Sequence, residues 1–89
     1  MTSNHSNCTP SDTHVAASFI NIGAVYAGKG DLENALVQHQ KALEIRTRVF
    51  GSDHPEVANS KENIGLVFKK MTKKSEARQM FTEAAGIRQ

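Results

Sequence analysis

Few side chains in this sequence have the type and spacing to do covalent chemistry. The four histidines, His5, His14, His39 and His54, are scattered without a metal-ligand spacing, so no metal site is expected. Cys8 is the one thiol, set in a Ser/Thr/Asn-rich stretch with no base or cation beside it, and reads as exposed and unactivated. No phosphate-cradling loop and no Ser/His/Asp or Cys/His set occurs. The chain is therefore expected not to be an enzyme and to carry no cofactor. Two features suit binding instead. Lys69-Lys70-Met71-Thr72-Lys73-Lys74 is the one strong charge cluster. It either attracts acidic residues of a partner or simply solvates a turn, its lysines favoured near a helix C-terminus by the dipole. Asn21 and Asn63 offer amides that both donate and accept, which suits clamping the backbone of an extended peptide. The lysine cluster lacks interleaved aromatics, so no nucleic-acid partner is expected.

Those two asparagines belong to a larger repetition. Sliding residues 15–46 onto 57–88, a shift of 42, makes eleven positions identical. Val15, Ala16, Ser18, Asn21, Ile22, Gly23 and Val25 fall on Val57, Ala58, Ser60, Asn63, Ile64, Gly65 and Val67; Ala35, Ala42, Ile45 and Arg46 fall on Ala77, Ala84, Ile87 and Arg88. A repeat of this length points to stacked units that hold another molecule rather than transform it.

The elements that carry these residues read as helices. Val15, Phe19, Ile22 and Tyr26 recur in steps of four and three, one apolar face of a helix over 13–28. Gly28-Lys29-Gly30 breaks it, and Asp31 is a good N-cap for a helix over 32–50 that Gly51 stops. Asp53 or His54 caps a third helix with Pro55 in its first turn. A polar break at 72–74 leads to the fourth, carrying Ala77, Met80, Phe81, Ala84 and Ile87. No sustained period-two pattern appears, so the fold class is all-α: two helical hairpins joined by a short linker.

Composition sets the outer bounds. Eighty-nine residues with 38% hydrophobic content, 6% aromatic and no Trp make one small domain with a limited core. A net charge of +2 is too small to argue for nucleic acid. No apolar run approaches the roughly 18–20 residues of a membrane span. A lone cysteine fits a reducing compartment, and the N-terminus lacks the pattern of a secretory signal, so a cytoplasmic location is expected. Residues 1–11 are almost wholly polar and read as a disordered tail, its sequons Asn4-His5-Ser6 and Asn7-Cys8-Thr9 being chance matches. Residues 12–51 and 52–89 then form the two repeats.

The motif Phe19-x-x-Ile22-Gly23-x-x-Tyr26 followed by Ala35-x-x-x-His39-x-x-Ala42 resembles the tetratricopeptide repeat, and Lys61-x-x-Ile64-Gly65-x-x-Phe68 with Ala77-x-x-x-Phe81-x-x-Ala84 is its second copy. The extra length relative to the usual period of about 34 sits in residues 46–58. With Asn-Ile-Gly and Ala-Leu-Glu-Ile-Arg, that segment looks like the kinesin light chain type. HEAT-type repeats have periods near 42 as well but would not explain the Gly-x-x-Tyr and Ala-x6-Ala spacings. The copies depart from the pattern at Lys61, where a large apolar residue is usual, at His39 in place of an aromatic, and at Thr72 in place of Gly30. The heptad segment of a kinesin light chain has no counterpart here.

The resemblance implies a superhelix fragment whose first helices line a concave, peptide-binding surface. It nominates Ala17, Ile20, Asn21, Ala24, Asn59, Glu62, Asn63, Leu66, Lys69 and Lys70 as that surface. Where some such domains clamp a terminal carboxylate with Lys and Asn, this chain has Ile20 and Ala24, so an internal segment of a protein or peptide, acidic in character, is the expected ligand. The alternative is a structural unit that self-associates or stacks on further repeats, because two repeats are fewer than the three or so that usually stand alone. On that reading Met80, Ile87 and the alanines of the last helix are the surface to be covered.

Overall fold

The computed structural model describes residues 10–88, which form four α-helices: α1 (Pro10–Gly28), α2 (Leu32–Phe50), α3 (Pro55–Lys70) and α4 (Lys74–Arg88). Residues 1–9, with Cys8, His5 and both sequons, lie outside the described residues; of the expected tail, Pro10 and Ser11 are the first residues of α1. Each helix packs on the next in the chain, α1 on α2, α2 on α3 and α3 on α4. The result is two antiparallel hairpins stacked side by side, with no strand among the described residues.

Local chemistry sets the boundaries. Asp31 caps α2, its carboxylate accepting from the Asn34 N–H (3.3 Å) and from the Asn34 amide (2.6 Å). Gly51 ends α2 at φ 89°, a left-handed conformation that glycine takes without steric cost. His54 caps α3 by accepting the Glu56 N–H on Nδ1 at 3.1 Å, with Pro55 in the first turn. Its ring also stacks on Phe50 at 4.3 Å between centroids, tying the end of α2 to the start of α3.

The two hairpin turns are copies of one another. Asp31 N–H donates to the Tyr26 carbonyl at 2.9 Å, and Lys73 N–H donates to the Phe68 carbonyl at 2.8 Å. The residue before each is left-handed, Gly30 at φ 85° and Thr72 at φ 63°. Thr72 therefore holds, with a β-branched side chain, a conformation that suits glycine.

Within each hairpin the helices meet at small residues. Ala16, Ala35 and Ala42 are buried in the first, Ala58, Ala77 and Ala84 in the second. A Cβ on Gly23 would stand 2.9 Å from His39 Nε2, and one on Gly65 would stand 3.1 Å from the Phe81 ring. Gly23 and Gly65 are thus the seats for the ring at position 39 or 81, and the His39 substitution keeps that packing. The Lys61 departure is also matched across the hairpin. Phe19 takes Lys41 Nζ over its face at 5.5 Å, whereas Lys61 pairs with Glu83 at 2.7 Å.

One expectation needs correcting. Val15, Phe19, Ile22 and Tyr26 do not share one buried face. Ala16, Phe19, Gly23 and Tyr26 pack on α2, while Val15 and Ile22 are exposed. The four-three spacing spans only about 60° of the helix, but the line that meets α2 is turned from it toward Ala16 and Gly23, which leaves Val15 and Ile22 on its solvent side.

Candidate binding groove

A groove of about 290 Å³ runs between α1 and α3. Ile20 and Ala24 line it from α1, Asn63, Leu66 and Lys70 from α3, and His39 of α2 lies beneath. Five of the ten expected surface residues therefore converge. The spacing Asn63, Leu66, Lys70 is one helical face, presenting an amide, an apolar side chain and a cation in order along α3.

The other five lie elsewhere. Ala17 and Asn21 are exposed on the same face of α1 as Ala24, outside the groove. Asn59 is one turn before Asn63, accepts from its amide at 3.5 Å, and also accepts from Arg46 Nη1 at 3.1 Å. That chain of contacts orients the Asn63 amide from behind, leaving most of its bonding capacity for a ligand. Glu62 turns toward α4, where it pairs with Arg88. Lys69 lines a separate cleft of about 500 Å³ between the end of α3 and α4, with Lys74, Arg78, Phe81 and Ala85. The lysine cluster is thus divided: Lys70 serves the groove, Lys69 and Lys74 the cleft.

Two residues matter more than their sequence suggested. Arg46 crosses from α2 to α3, donating to the Glu56 carbonyl, Asn59 Oδ1 and Ser60 Oγ, each at 3.1 Å, and pairing with the Glu56 carboxylate at 3.4 Å. Its identity with Arg88 in the repeat was the available signal. His39 is 6% exposed, and its Nδ1 is buried without a hydrogen-bond partner. Burial pushes its pKa below the usual 6.5, so the ring is neutral at pH 7. Among the described residues no three His, Cys, Asp or Glu side chains gather as a metal site. The arrangement offers shape, hydrogen bonds and positive charge, components of recognition.

Residues 14–89 match the family model described as tetratricopeptide repeat. The chain belongs to the tetratricopeptide repeat family. Repeats of this family generally mediate protein–protein interaction. Comparison with curated proteins finds none that matches the chain. In tetratricopeptide terms, α1/α2 and α3/α4 are the two repeats, and the groove lies between their first helices. Among the described residues no helix is long and apolar enough to cross a membrane.

Proposed function

We propose that this chain is a cytoplasmic peptide-binding module that takes an extended, acidic segment of a partner protein into the α1/α3 groove. The observation that carries the reading is the convergence of Ile20, Ala24, Asn63, Leu66 and Lys70 on one groove. The aliphatic side chains supply apolar area, the Asn63 amide can donate to and accept from a peptide backbone, and Lys70 supplies charge at one end. The 42-residue spacing and the segment 46–58, where Arg46, the Phe50–His54 stack and the His54 cap all lie, support assigning the repeats to the kinesin light chain-like subtype. The lone cysteine supports a reducing location.

The test is fluorescence anisotropy with labelled extended peptides in which acidic and apolar residues alternate. Leu66→Glu places a carboxylate in the groove from an exposed position and should weaken binding at least about tenfold, the equivalent of 1.4 kcal/mol. The Asn21→Ala/Asn63→Ala pair should weaken it too, with the loss arising at Asn63. Lys70→Glu should weaken it and flatten the salt dependence. Unchanged affinity in Leu66→Glu and in the double variant would overturn the groove assignment.

A further inference from the structure

The 42-residue repeat brings a face that is buried in one copy to the surface in the other. On α3, Val57, Ser60, Ile64 and Val67 form a stripe at steps of three and four, with exposures of 0, 1, 2 and 3%. Ser60 accepts from Arg46 of α2, so this is the stripe that α2 covers. The corresponding stripe on α1 is Val15, Ser18, Ile22 and Val25, identical at all four positions. There Val15, Ile22 and Val25 are 45, 44 and 57% exposed. An identical stripe, covered by an α2-type helix in one copy, stands open in the other.

The complementary surface is also on the molecule. The first hairpin receives the α3 stripe against α2. The second hairpin presents its own counterpart, the cleft of about 500 Å³ on α4, floored by Ala77, Phe81 and Ala85. Arg88 holds the place of Arg46 in the repeat and pairs with Glu62 within the chain. The rim differs: Lys69, Lys74 and Arg78 replace Ala27, Leu32 and Leu36. Three cations there disfavour a cationic helix such as α3, which carries Lys61, Lys69 and Lys70. By contrast α1 carries no lysine or arginine, so it meets the rim without the like charge that α3 would bring.

We infer that this chain stacks head to tail on a second copy of itself, the α1 stripe of one copy seated in the α3/α4 cleft of the next. The contact repeats the α2–α3 packing already present within each chain, and Arg88 of one copy, on leaving the Glu62 carboxylate that holds it within its own chain, meets Ser18 of the other as Arg46 meets Ser60. It is a weakened version of that packing. Asn59 and Glu56, which anchor Arg46, correspond to Ala17 and His14, which offer neither the amide nor the carboxylate. The association is therefore reversible and depends on concentration. Because the two surfaces differ, it is heterologous and does not close at a dimer. It uses neither Asn63 nor Leu66, so it stands or falls separately from peptide binding in the groove.

Sedimentation equilibrium of the full chain across the micromolar range tests it, with circular dichroism to confirm folding. Val25→Arg blocks the stripe and Ala85→Arg blocks the cleft, both from exposed positions. The wild type should gain mass with concentration beyond two chains. Each variant alone should sediment as a monomer. Their equimolar mixture should form a one-to-one complex and nothing larger, since one variant keeps an intact cleft and the other an intact stripe. A wild type that remains monomeric throughout overturns the inference, whether the stripe is covered by residues 1–9 or by another protein. So does a folded single variant that still self-associates, or a mixture that stays monomeric.

Discussion

Replacing His39 with phenylalanine should make the protein more stable and remove part of its sensitivity to acid. The imidazole is buried against Gly23, with Nδ1 lacking a partner. A buried, unsatisfied polar atom costs about 1–3 kcal/mol. A phenyl ring already occupies the matching slot in the second hairpin, where Phe81 lies against Gly65 at nearly the same approach. The larger ring still demands some adjustment, and overpacking of this kind costs on the order of 1 kcal/mol at the mild end. The net gain at neutral pH is thus about 1 kcal/mol, which for a domain of this size raises Tm by roughly 4–8 °C. The pH dependence follows from the lowered pKa of His39. Below pH 6.5 the unfolded chain takes up a proton that the folded chain resists, so wild-type stability falls as pH falls toward the lowered value. The variant lacks that term, and its advantage should widen by at most about 1.4 kcal/mol per pH unit in that window. Every other group is common to both proteins and cancels in the difference. Urea unfolding of both proteins from pH 7.5 to 5 measures it. A variant less stable at pH 7.5, or a difference that stays constant with pH, would refute the reasoning.

Two further substitutions probe the positions where the repeats differ. Thr72→Gly should stabilise the chain by about 0.5–1 kcal/mol, because the left-handed backbone costs a β-branched residue about 1–2 kcal/mol while glycine loses about 0.5–1 kcal/mol in entropy. A lower Tm for that variant would show the turn is not strained at φ 63°. Glu83→Gln should cost up to about 1 kcal/mol at pH 7, since the pair it forms with Lys61 is partly solvated. The Lys61 hydrogen bond, followed by that from Gln79, holds the Glu83 carboxyl below its usual 4.5. The contribution is therefore present above pH 4.5 and is lost as pH falls through the lowered value, where variant and wild type should converge in chemical unfolding. A difference that persists in acid would mean the carboxylate charge is not what the pair supplies.

Helix type and number were legible because apolar residues, caps and breakers agreed. Asp31, Gly51 and Pro55 each act where their chemistry placed them. On α1 the close approach at Gly23 was legible from its match with Gly65, but the exposure of Val15 and Ile22 beside it was not. Side-chain size marks what can be buried, whereas small residues mark where helices touch, and periodicity alone does not separate the two. The groove was half legible for a related reason. Residues within an arc of about 120° on the first helices all count as outward from the hairpin, but α4 draws Glu62 to Arg88 and takes Lys69 into its own cleft. The Lys61–Glu83 pair was invisible as a pair until the hairpin set position 61 against 83. In the first copy the same two positions hold Phe19 and Lys41, so the exchange is legible once the partner is known.

The pattern of difference between the copies bears on what the groove can accept. Positions inside the hairpins are kept, or exchanged in ways that preserve the contact, as with His39 over Gly23 and Phe81 over Gly65. Two groove-facing positions instead diverge: Ala24 against Leu66, and Gly28 against Lys70. The α1 wall is therefore small and apolar, and the α3 wall carries the amide, the leucine and the charge. An extended peptide presents successive side chains to opposite sides. Laid along such a groove it would turn alternate residues toward unlike walls, small apolar ones fitting Ala24 and Ile20, acidic or amide ones meeting Asn63 and Lys70. On the proposed reading the asymmetry would also set direction, since Lys70 lies at the α3 C-terminal end, where a carboxylate is drawn to the lysine and not to the helix dipole. A groove built from two identical first helices would lack this handle, so the divergence between the copies is what makes a single binding register specifiable.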